Sequence, residues 1–265
     1  RFSFNGDTSF YYQNINASLL WKHEFDEEGH SLEVSAGYDH FNNTLEDMKR
    51  YGEYTLDTYI RQGWVRSAIR RTSGEHTLSY GLDLTAYALD PGIMKAASDS
   101  SLVSSRTLDR EYAAECAAFV GDTWRLTEEV SLDGGLRFSS FLSERDVRFY
   151  GLPEVRLSAK YSPVPSLSFK AGFNTLRQYI HLISNTSSLS PMDTWKLSDG
   201  QIRPTDGWQL ASGGYWTNLD TGIDFSLEAY WKRMYNYLDY KSGATLLMNA
   251  NLADDLDALM FGGEI

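Results

Sequence analysis

The side chains that most often carry out catalysis or bind metals are scattered along this chain. The histidines lie far apart and form no His-Glu-x-x-His pair, and the single cysteine, Cys116, has no second cysteine for a metal-binding pair. The acidic run 254–257 lacks the spaced Asp, Asn and Gly positions of a calcium loop. These patterns predict no catalytic residue, no metal site and no cofactor. They also indicate that Cys116 is a small packing residue and that the acidic run is a solvated loop.

One long segment contains polar and aromatic residues that suit recognition of a ligand. Residues 184–206 connect two predicted strands and contain Pro191 and Pro204, which stiffen a loop. The candidate ligand-binding residues lie in this segment or just before it and are Tyr179, His181, Asn185, Asp193, Trp195 and Arg203. The alternative is a structural role, in which Tyr179 and His181 close a strand end and Trp195 packs the loop onto its neighbours.

The elements that must position this loop are strands, because apolar and polar residues alternate along much of the chain. Every second residue from Leu78 to Ala88 is apolar or aromatic, and the residues between them are mainly polar. The same alternation appears over 32–40, 130–138, 155–161, 167–174 and 223–232. We expect the apolar side to face lipid, with Leu78, Leu82, Leu84, Leu132, Leu136, Leu157, Phe169, Phe225 and Leu227 among its residues. We expect the charged residues of the other side to face the lumen of a barrel: Asp83, Asp133, Arg137, Lys160, Lys170 and Glu228.

Short turns alternate with long connections. The short turns lie at 26–29, 72–75, 127–129, 162–166 and 218–222, and the long connections at 42–56, 90–107, 143–153, 184–206 and from 241 onward. Up-and-down outer-membrane barrels show this alternation, with the short turns on the periplasmic side. The pattern predicts an all-β, antiparallel up-and-down transmembrane barrel segment of about ten strands, several of them longer than the roughly 5–6 residues usual in a soluble sandwich. Aromatic residues expected to form bands at the membrane interfaces include Trp21, Trp64, Tyr87, Trp124, Tyr179, Trp208, Tyr215 and Tyr230.

The composition excludes membrane proteins that span the bilayer with helices and proteins that bind nucleic acid. No stretch approaches the roughly 18 apolar residues that a membrane-spanning helix requires. The formal charge of -12, with 24 scattered Lys and Arg residues, provides no basic face for nucleic acid. The chain opens with no secretory signal and begins within a strand region, so we expect residues 1–265 to be one partial barrel domain of a longer protein.

Several stretches in the last third of the chain resemble a known family. Residues 174–185, followed by 190–195 and 202–204, resemble the TonB-dependent receptors of Bacteroidetes-type bacteria. Residues 226–244 look like the next barrel hairpin of that family, and 261–265 look like the start of the strand after it. Weaker matches lie at 119–124 and 135–138. The departure from the family pattern is Gly121, where a polar residue is expected.

The resemblance implies a barrel of about 22 strands that is closed by an N-terminal plug. It implies import of a scarce ligand, such as a siderophore, oligosaccharide or cobalamin, across the bacterial outer membrane. The implied partners are outer-membrane lipid, the protein's own plug, the inner-membrane TonB complex and a small-molecule or oligomeric ligand, with no nucleic acid. About ten strands leave two open edges, which a bilayer does not tolerate, so we expect no transport by this segment alone.

Two alternatives remain at this point. A passive outer-membrane porin or adhesin barrel would show the same alternation without the motif over 174–205. A soluble β-rich carbohydrate-binding module would have shorter strands and a polar outer face. A plug encoded upstream of this segment would favour the receptor over both.

Overall fold

The chain folds into antiparallel β-strands. The computed structural model describes residues 2–4, 8–25, 29–47, 54–96, 106–107, 109–144, 146–148, 153–183, 194–218, 221–241 and 252–264. In chain order the strands are β1 Phe2–Phe4, β2 Thr8–Glu24, β3 His30–Asp47, β4 Tyr54–Ser73, β5 His76–Ala96, β6 Arg106–Thr107, β7 Glu111–Arg125, β8 Val130–Ser143, β9 Asp146–Arg148, β10 Glu154–Val164, β11 Leu167–Gln178, β12 Ile180–Ile183, β13 Thr194–Leu197, β14 Thr205–Asn218, β15 Ile223–Tyr240 and β16 Leu252–Glu264. Within these ranges, no helix is long and apolar enough to cross a membrane.

One sheet contains all of these strands except two. Its hydrogen-bonded order is β1, β2, β3, β4, β5, β7, β8, β10, β11, β14, β15 and β16, while β6 pairs with β5 and β9 pairs with β8. Strands β12 and β13 form a separate two-stranded sheet. Because successive long strands are neighbours, the sheet is an up-and-down barrel segment, and it is open at β1 and β16. The predicted fold class is therefore confirmed.

The eleventh long strand, β16, begins at Leu252 rather than at 261, where the family resemblance placed the start of a strand. Strand β16 places the acidic run 254–257 in a strand, so the prediction of a loop there, within a connection from 241 onward, is wrong. The strand forms because it pairs with β15 from Glu228 opposite Glu264 to Tyr240 opposite Leu252. Arg233 Nη2 donates a hydrogen bond to Asp257 Oδ2 at 3.1 Å, which balances part of the acidic charge across the ladder.

The short turns predicted at 72–75, 127–129 and 162–166 are present, and parts of those predicted at 26–29 and 218–222 lie outside the described residues. Two further long connections are shorter than predicted. The β4–β5 hairpin turns at Gly74, whose φ of 57° is a left-handed conformation that glycine adopts without strain. The connections predicted over 42–56 and 90–107 are shorter because the β3–β4 ladder continues to Asp47 opposite Tyr54. The β4–β5 ladder likewise continues to Tyr54 opposite Ala96. At the β3–β4 end polar side chains pair, as Thr44 and Asp57 do, so alternation of apolar and polar residues does not reveal that end.

The ladder register gives the sheet two distinct faces. Leu157, Phe173, Leu210, Trp231 and Phe261 are successive cross-strand partners, which aligns apolar side chains across five strands. Each of the five is at least 36% exposed. This side of the sheet is termed the apolar face, and it carries all nine residues that were predicted to face lipid. The opposite side, termed the polar face, carries the residues that alternate with them.

The apolar face is tall enough to cross an outer membrane. It is continuous along β5 from Leu78 to Ala88. Ten residue steps of about 3.4 Å along a strand tilted by about 40° rise about 26 Å, close to the roughly 25 Å apolar band of outer-membrane barrels. Near the short turns, the Trp124 ring stacks on His76 with 5.4 Å between centroids. Near the long connections, Trp208 Nε1 donates to the Tyr235 hydroxyl at 3.2 Å.

Several aromatic residues that were predicted for the interfacial bands lie on the polar face instead. They are Trp64, Tyr87, Tyr215 and Tyr230. Their position follows from the register, because each pairs across strands with residues of the polar face. The interfacial prediction is wrong for these four residues since aromatic side chains occur on both sides of the strands. It is also wrong for Tyr179, which is buried against Phe141.

Buried side chains concentrate at the long-connection ends of the strands. One cluster contains Leu89, Ala113, Phe141, Tyr179 and Leu197. A second contains Ile183, Ile202, Leu238 and Leu252. Both clusters include residues of 179–183 and 194–204, together termed the folded segment, which pack against the sheet. This segment and the polar face beneath it are therefore where the chain builds a packed site.

Candidate functional site

The base of the folded segment is fixed by Tyr179. Its ring stacks on Phe141 of β8, with 4.6 Å between centroids and 7° between the ring planes. Its hydroxyl lies 2.7 Å from Ser139 Oγ, and the residue is only 3% exposed. Burial raises the pKa of the Tyr179 hydroxyl, so it stays protonated and able to donate. Strands β12 and β13, termed the inner hairpin, begin directly after this anchor.

A buried lysine attaches the inner hairpin to the sheet. Lys196 Nζ lies 2.6 Å from Glu111 Oε1 on β7 and 2.9 Å from Asp199 Oδ2, and the lysine side chain is only 2% exposed. The second Glu111 oxygen, Oε2, accepts from the Leu197 backbone N–H at 3.0 Å. The ammonium is thus paired with two carboxylates, which offsets the cost of removing it from water. One glutamate of the sheet binds both a side chain and the backbone of the hairpin.

The residues after β13 form a turn around the carboxylate of Asp199. Asp199 Oδ1 accepts from the backbone N–H groups of Gln201 at 2.8 Å and Ile202 at 2.9 Å. Burial by itself would raise the pKa of Asp199, but Lys196 and these two N–H donors outweigh it and hold that pKa below its ordinary value. Asp199 therefore stays ionised at neutral pH and orders the return from β13 to β14.

His181 of β12 is buried, and both of its ring nitrogens have hydrogen-bond partners. Its Nε2 lies 2.9 Å from Ser198 Oγ, and its Nδ1 lies 3.3 Å from Thr205 Oγ1. One ring nitrogen therefore faces a hydroxyl group that follows β13, and the other faces a hydroxyl group at the start of β14. This arrangement suits a residue that holds the hairpin against the start of β14.

A network of charges lies on the polar face below the hairpin. The Arg137 guanidinium contacts Asp83, donates to Glu115 at 2.8 Å and lies 3.5 Å from Glu154. Asp83 also accepts from Arg66 Nε at 2.7 Å. Two predicted lumen-facing residues, Asp83 and Arg137, are thus brought together. Because Ser139 lies 3.3 Å from Glu154 and 2.7 Å from Tyr179, the network connects to the base of the folded segment.

The other four predicted lumen-facing residues share this face farther from the hairpin. Asp133 accepts from Thr123 Oγ1 at 2.7 Å and from Ser158 Oγ at 2.9 Å. Lys160 and Lys170 are direct cross-strand partners, and Glu228 accepts from the Tyr215 hydroxyl at 2.8 Å. All six charged residues therefore lie on one face of the sheet, and their orientation toward a lumen stays a prediction.

The six candidate ligand-binding residues fall into three groups. Tyr179 and His181 are buried within the protein, as described above. Trp195 is half-buried beside Phe41, with 6.5 Å between ring centroids, and Arg203 is exposed. Asn185 and Asp193 lie outside the described residues. A contribution of these residues to ligand binding stays a prediction.

Three residues of the site were not predicted from the sequence: Glu111, Lys196 and Asp199. Lys196 stands between Trp195 and Leu197, and a lysine flanked by apolar residues is a weak signal of a buried pair. Glu111 is 85 positions away, so no local pattern connects the two. In the described part of the chain, no three His, Cys, Asp or Glu residues are grouped to hold a metal ion, and Cys116 is an unbonded, half-buried thiol.

The geometry of the sheet is found in solved structures of transporters and an uptake receptor. The chain superposes on the copper transporter OprC with a TM-score of 0.70 and 15% identity, covering 95% of this chain and 42% of that one. The FrpB iron transporter from Neisseria meningitidis superposes with a TM-score of 0.65 and 12% identity, covering 94% of this chain and 40% of that one. The ferric yersiniabactin uptake receptor FyuA from Yersinia pestis superposes with a TM-score of 0.64 and 11% identity, covering 96% of this chain and 39% of that one. The likeness shows a common fold, and the chain spans about two fifths of the length of these proteins.

A family comparison agrees with the fold. No curated protein matches the chain. The sequence profile described as TonB dependent receptor-like, beta-barrel matches residues 1–255, nearly the whole chain. The open antiparallel sheet, its exposed apolar face and this match lead to one assignment: the chain belongs to the TonB-dependent receptor β-barrel family.

Proposed function

We propose that this chain is part of the barrel of a TonB-dependent receptor that imports a scarce ligand across the outer membrane of a Bacteroidetes-type bacterium. The observation that carries the proposal is the inner hairpin, which folds against the polar face at the long-connection end of the sheet. A segment anchored there narrows the interior and brings polar and aromatic groups to the path of an entering ligand. The motif over 174–205, within which both hairpin strands lie, supports the narrower bacterial assignment.

The remainder of the receptor completes the proposal. A plug domain outside residues 1–265 fills the lumen, and the polar face carrying Asp83, Asp133 and Arg137 surrounds it. The inner-membrane TonB complex supplies energy through a segment that also lies outside this chain. The apolar face contacts outer-membrane lipid. The chain itself contributes the wall and part of the outer binding surface.

Within that surface, Trp195 and Arg203 are the described candidates most accessible to a ligand. An aromatic ring offers a flat apolar surface and a guanidinium offers several hydrogen-bond donors, which suit a siderophore, an oligosaccharide or cobalamin. Asn185 and Asp193 add an amide and a carboxylate in the same connection. Tyr179 and His181 affect binding by holding the hairpin in place.

The test uses the full-length receptor produced in an outer membrane. Uptake of a labelled ferric siderophore, a labelled oligosaccharide and labelled cobalamin is measured in cells with and without TonB. The proposal predicts uptake of one ligand class that is lost without TonB. Uptake that persists without TonB would favour a passive porin, and absence of binding and uptake for every class would contradict import of such ligands.

A matched pair of tryptophan variants locates the binding surface. Trp195→Ala should weaken binding of the imported ligand by roughly tenfold or more if the ring is a central contact. Trp216→Ala is the control, because this tryptophan is 42% exposed on the apolar face near the short turns. Equal binding by both variants, in barrels that assemble normally, would remove Trp195 from the recognition surface.

A further inference from the structure

Two arginines converge on one tyrosine at the end of the apolar face that lies nearest the long connections. Arg61 of β4 lies directly opposite Ala88, where the continuous apolar run of β5 ends. Tyr59 is the next residue of β4 on the same side of the sheet. The Cζ atom of Arg61 lies 4.6 Å from the centroid of the Tyr59 ring, and the Cζ atom of Arg110 lies 5.9 Å from it. Tyr59, Arg61 and Arg110 are termed the arginine–tyrosine cluster.

Neighbouring side chains hold each guanidinium through its Nε atom. Arg61 Nε donates to Nδ1 of His40, its cross-strand partner, at 3.4 Å. Arg110 Nε donates to Oδ2 of Asp90 at 3.2 Å, and Asp90 is fully buried opposite Tyr59. A guanidinium bonded in this way keeps its two terminal amino groups for another acceptor. Both arginines are therefore positioned by the protein and still have donor groups for a ligand.

The cluster carries a positive charge that the described residues do not neutralise. Asp90 is the only carboxylate that forms an ion pair with Arg110 in the described part of the chain, and Arg61 forms none there. Farther along the same side of β4, Asp57 accepts a hydrogen bond from Thr44 at 2.7 Å. Arg61 is exposed, and the Arg110 side chain is 56% exposed. Two guanidiniums and one carboxylate thus present an unbalanced, accessible charge at the edge of the apolar face.

We propose that the arginine–tyrosine cluster binds the phosphate group of a lipid in the outer leaflet of the outer membrane. The inference rests on the proposed function, because it requires lipid against the apolar face and long connections on the outer side. Headgroup phosphates lie where the apolar band of a barrel ends, and Arg61 stands at that level. Guanidinium forks bind phosphate oxygens in pairs, so two of them on one ring complement a multiply charged phosphate.

Apolar side chains beside the cluster favour a lipid over a soluble anion. Val65 and Leu84 are direct cross-strand partners on the same face, and they are 46% and 51% exposed. Tyr112, opposite Ala88, is 47% exposed. The acyl chains below a headgroup would cover these side chains, whereas inorganic phosphate would leave them uncovered. A phosphorylated lipid therefore satisfies both the charge and the apolar surface.

The test is native mass spectrometry of the intact full-length receptor in detergent micelles. Lipid A, which carries phosphate on its sugar headgroup, is titrated against lipid A from which the phosphate has been removed. The wild-type receptor should bind the phosphorylated form more tightly by roughly tenfold or more. Equal binding of the two forms would overturn the proposal. Displacement of lipid A by inorganic phosphate at the same concentration would assign the cluster to a soluble anion and would also overturn it.

Two double variants locate the site. Arg61→Gln with Arg110→Gln should abolish the preference for phosphorylated lipid. Arg70→Gln with Arg156→Gln removes the same charge from exposed arginines of the polar face and should keep that preference. A preference retained by the first variant, or lost equally in both, would contradict the assignment to this cluster.

The wild-type comparison decides the outcome if a variant fails to assemble. Ligand uptake in cells is scored separately from lipid binding. A receptor that imports ligand without preferring phosphorylated lipid refutes this site alone. A receptor that prefers phosphorylated lipid but imports nothing supports the lipid site and contradicts only the proposed import.

Discussion

Replacing Lys196 with methionine should release the inner hairpin from the sheet. Methionine keeps an unbranched apolar stem of similar length but removes the ammonium that lies 2.6 Å from Glu111 and 2.9 Å from Asp199. The two carboxylates are 14% and 8% exposed and would be left facing each other with no cation between them. The hairpin must then open to admit water, or one carboxylate must take up a proton.

The size of the effect follows from the burial of the pair. Removing one partner of a buried, hydrogen-bonded ion pair costs about 3–5 kcal/mol because an uncompensated charge remains. At about 1.4 kcal/mol for each factor of ten, the open form of the hairpin should become roughly 100-fold to 4,000-fold more populated. Barrel assembly should survive, since the ladder between β5, β7 and β8 does not include Lys196.

Amide hydrogen exchange in the full-length receptor measures this opening directly. The Ser198 amide donates to the Tyr179 carbonyl at 2.8 Å, and the Leu197 amide donates to Glu111 Oε2 at 3.0 Å, so both should exchange faster by that factor. Lys95→Met, at an exposed lysine, is the matched control and should leave both amides protected. Adding Glu111→Gln and Asp199→Asn to the methionine variant should restore much of the protection, because no buried charge then remains. Unchanged exchange in the single variant would refute the ion-pair anchor.

Three further outcomes follow from the structure. Leu84→Arg, on the apolar face, should destabilise the full-length receptor in lipid by about 2–4 kcal/mol, measured by urea unfolding, and equal stability would contradict a lipid-facing position. Arg137→Met should cost about 3–5 kcal/mol in the same assay because it leaves its carboxylate partners buried together, whereas Arg66→Met, at a largely exposed guanidinium, should cost less. The depressed pKa of Asp199 stabilises the turn at pH values above the ordinary carboxyl pKa of about 3.9, and this contribution is lost as pH falls through the lower pKa of the folded state. Exchange at the Ile202 amide should therefore accelerate at acidic pH beyond its intrinsic pH dependence, and Asp199→Asn should remove that excess.

The two faces of the sheet could be predicted from the sequence because strand geometry is local. Successive side chains of a strand point to opposite sides, so the alternation around Asp83 and Leu84 fixes which residues share a face. The short turns were also predictable, since Gly74 and its neighbours favour a tight connection. Strand length was underestimated where polar residues pair across the ladder, as Thr44 and Asp57 do at 2.7 Å.

The inner hairpin could not be predicted, because its anchors are contacts between distant parts of the chain. Lys196 and Glu111 lie on different elements, and neither stands in a pattern that signals the other. The same limit applies to Tyr179, whose burial depends on Phe141 of another strand. The sequence predicts the connection that carries Lys196, but it does not predict which part of the sheet the inner hairpin packs against.

We expect the apolar face to contact lipid and the polar face to enclose the interior of a barrel. Spin labels placed one at a time from Ser79 to Ala88 along β5 in the full-length receptor, reconstituted in lipid, test this expectation most directly. Labels at even positions such as Leu84 should be accessible to oxygen and shielded from a water-soluble nickel complex. Labels at odd positions such as Asp83 should show the lower oxygen accessibility of an enclosed surface. An inverted pattern, or accessibility to the nickel complex at every even position, would contradict this expectation.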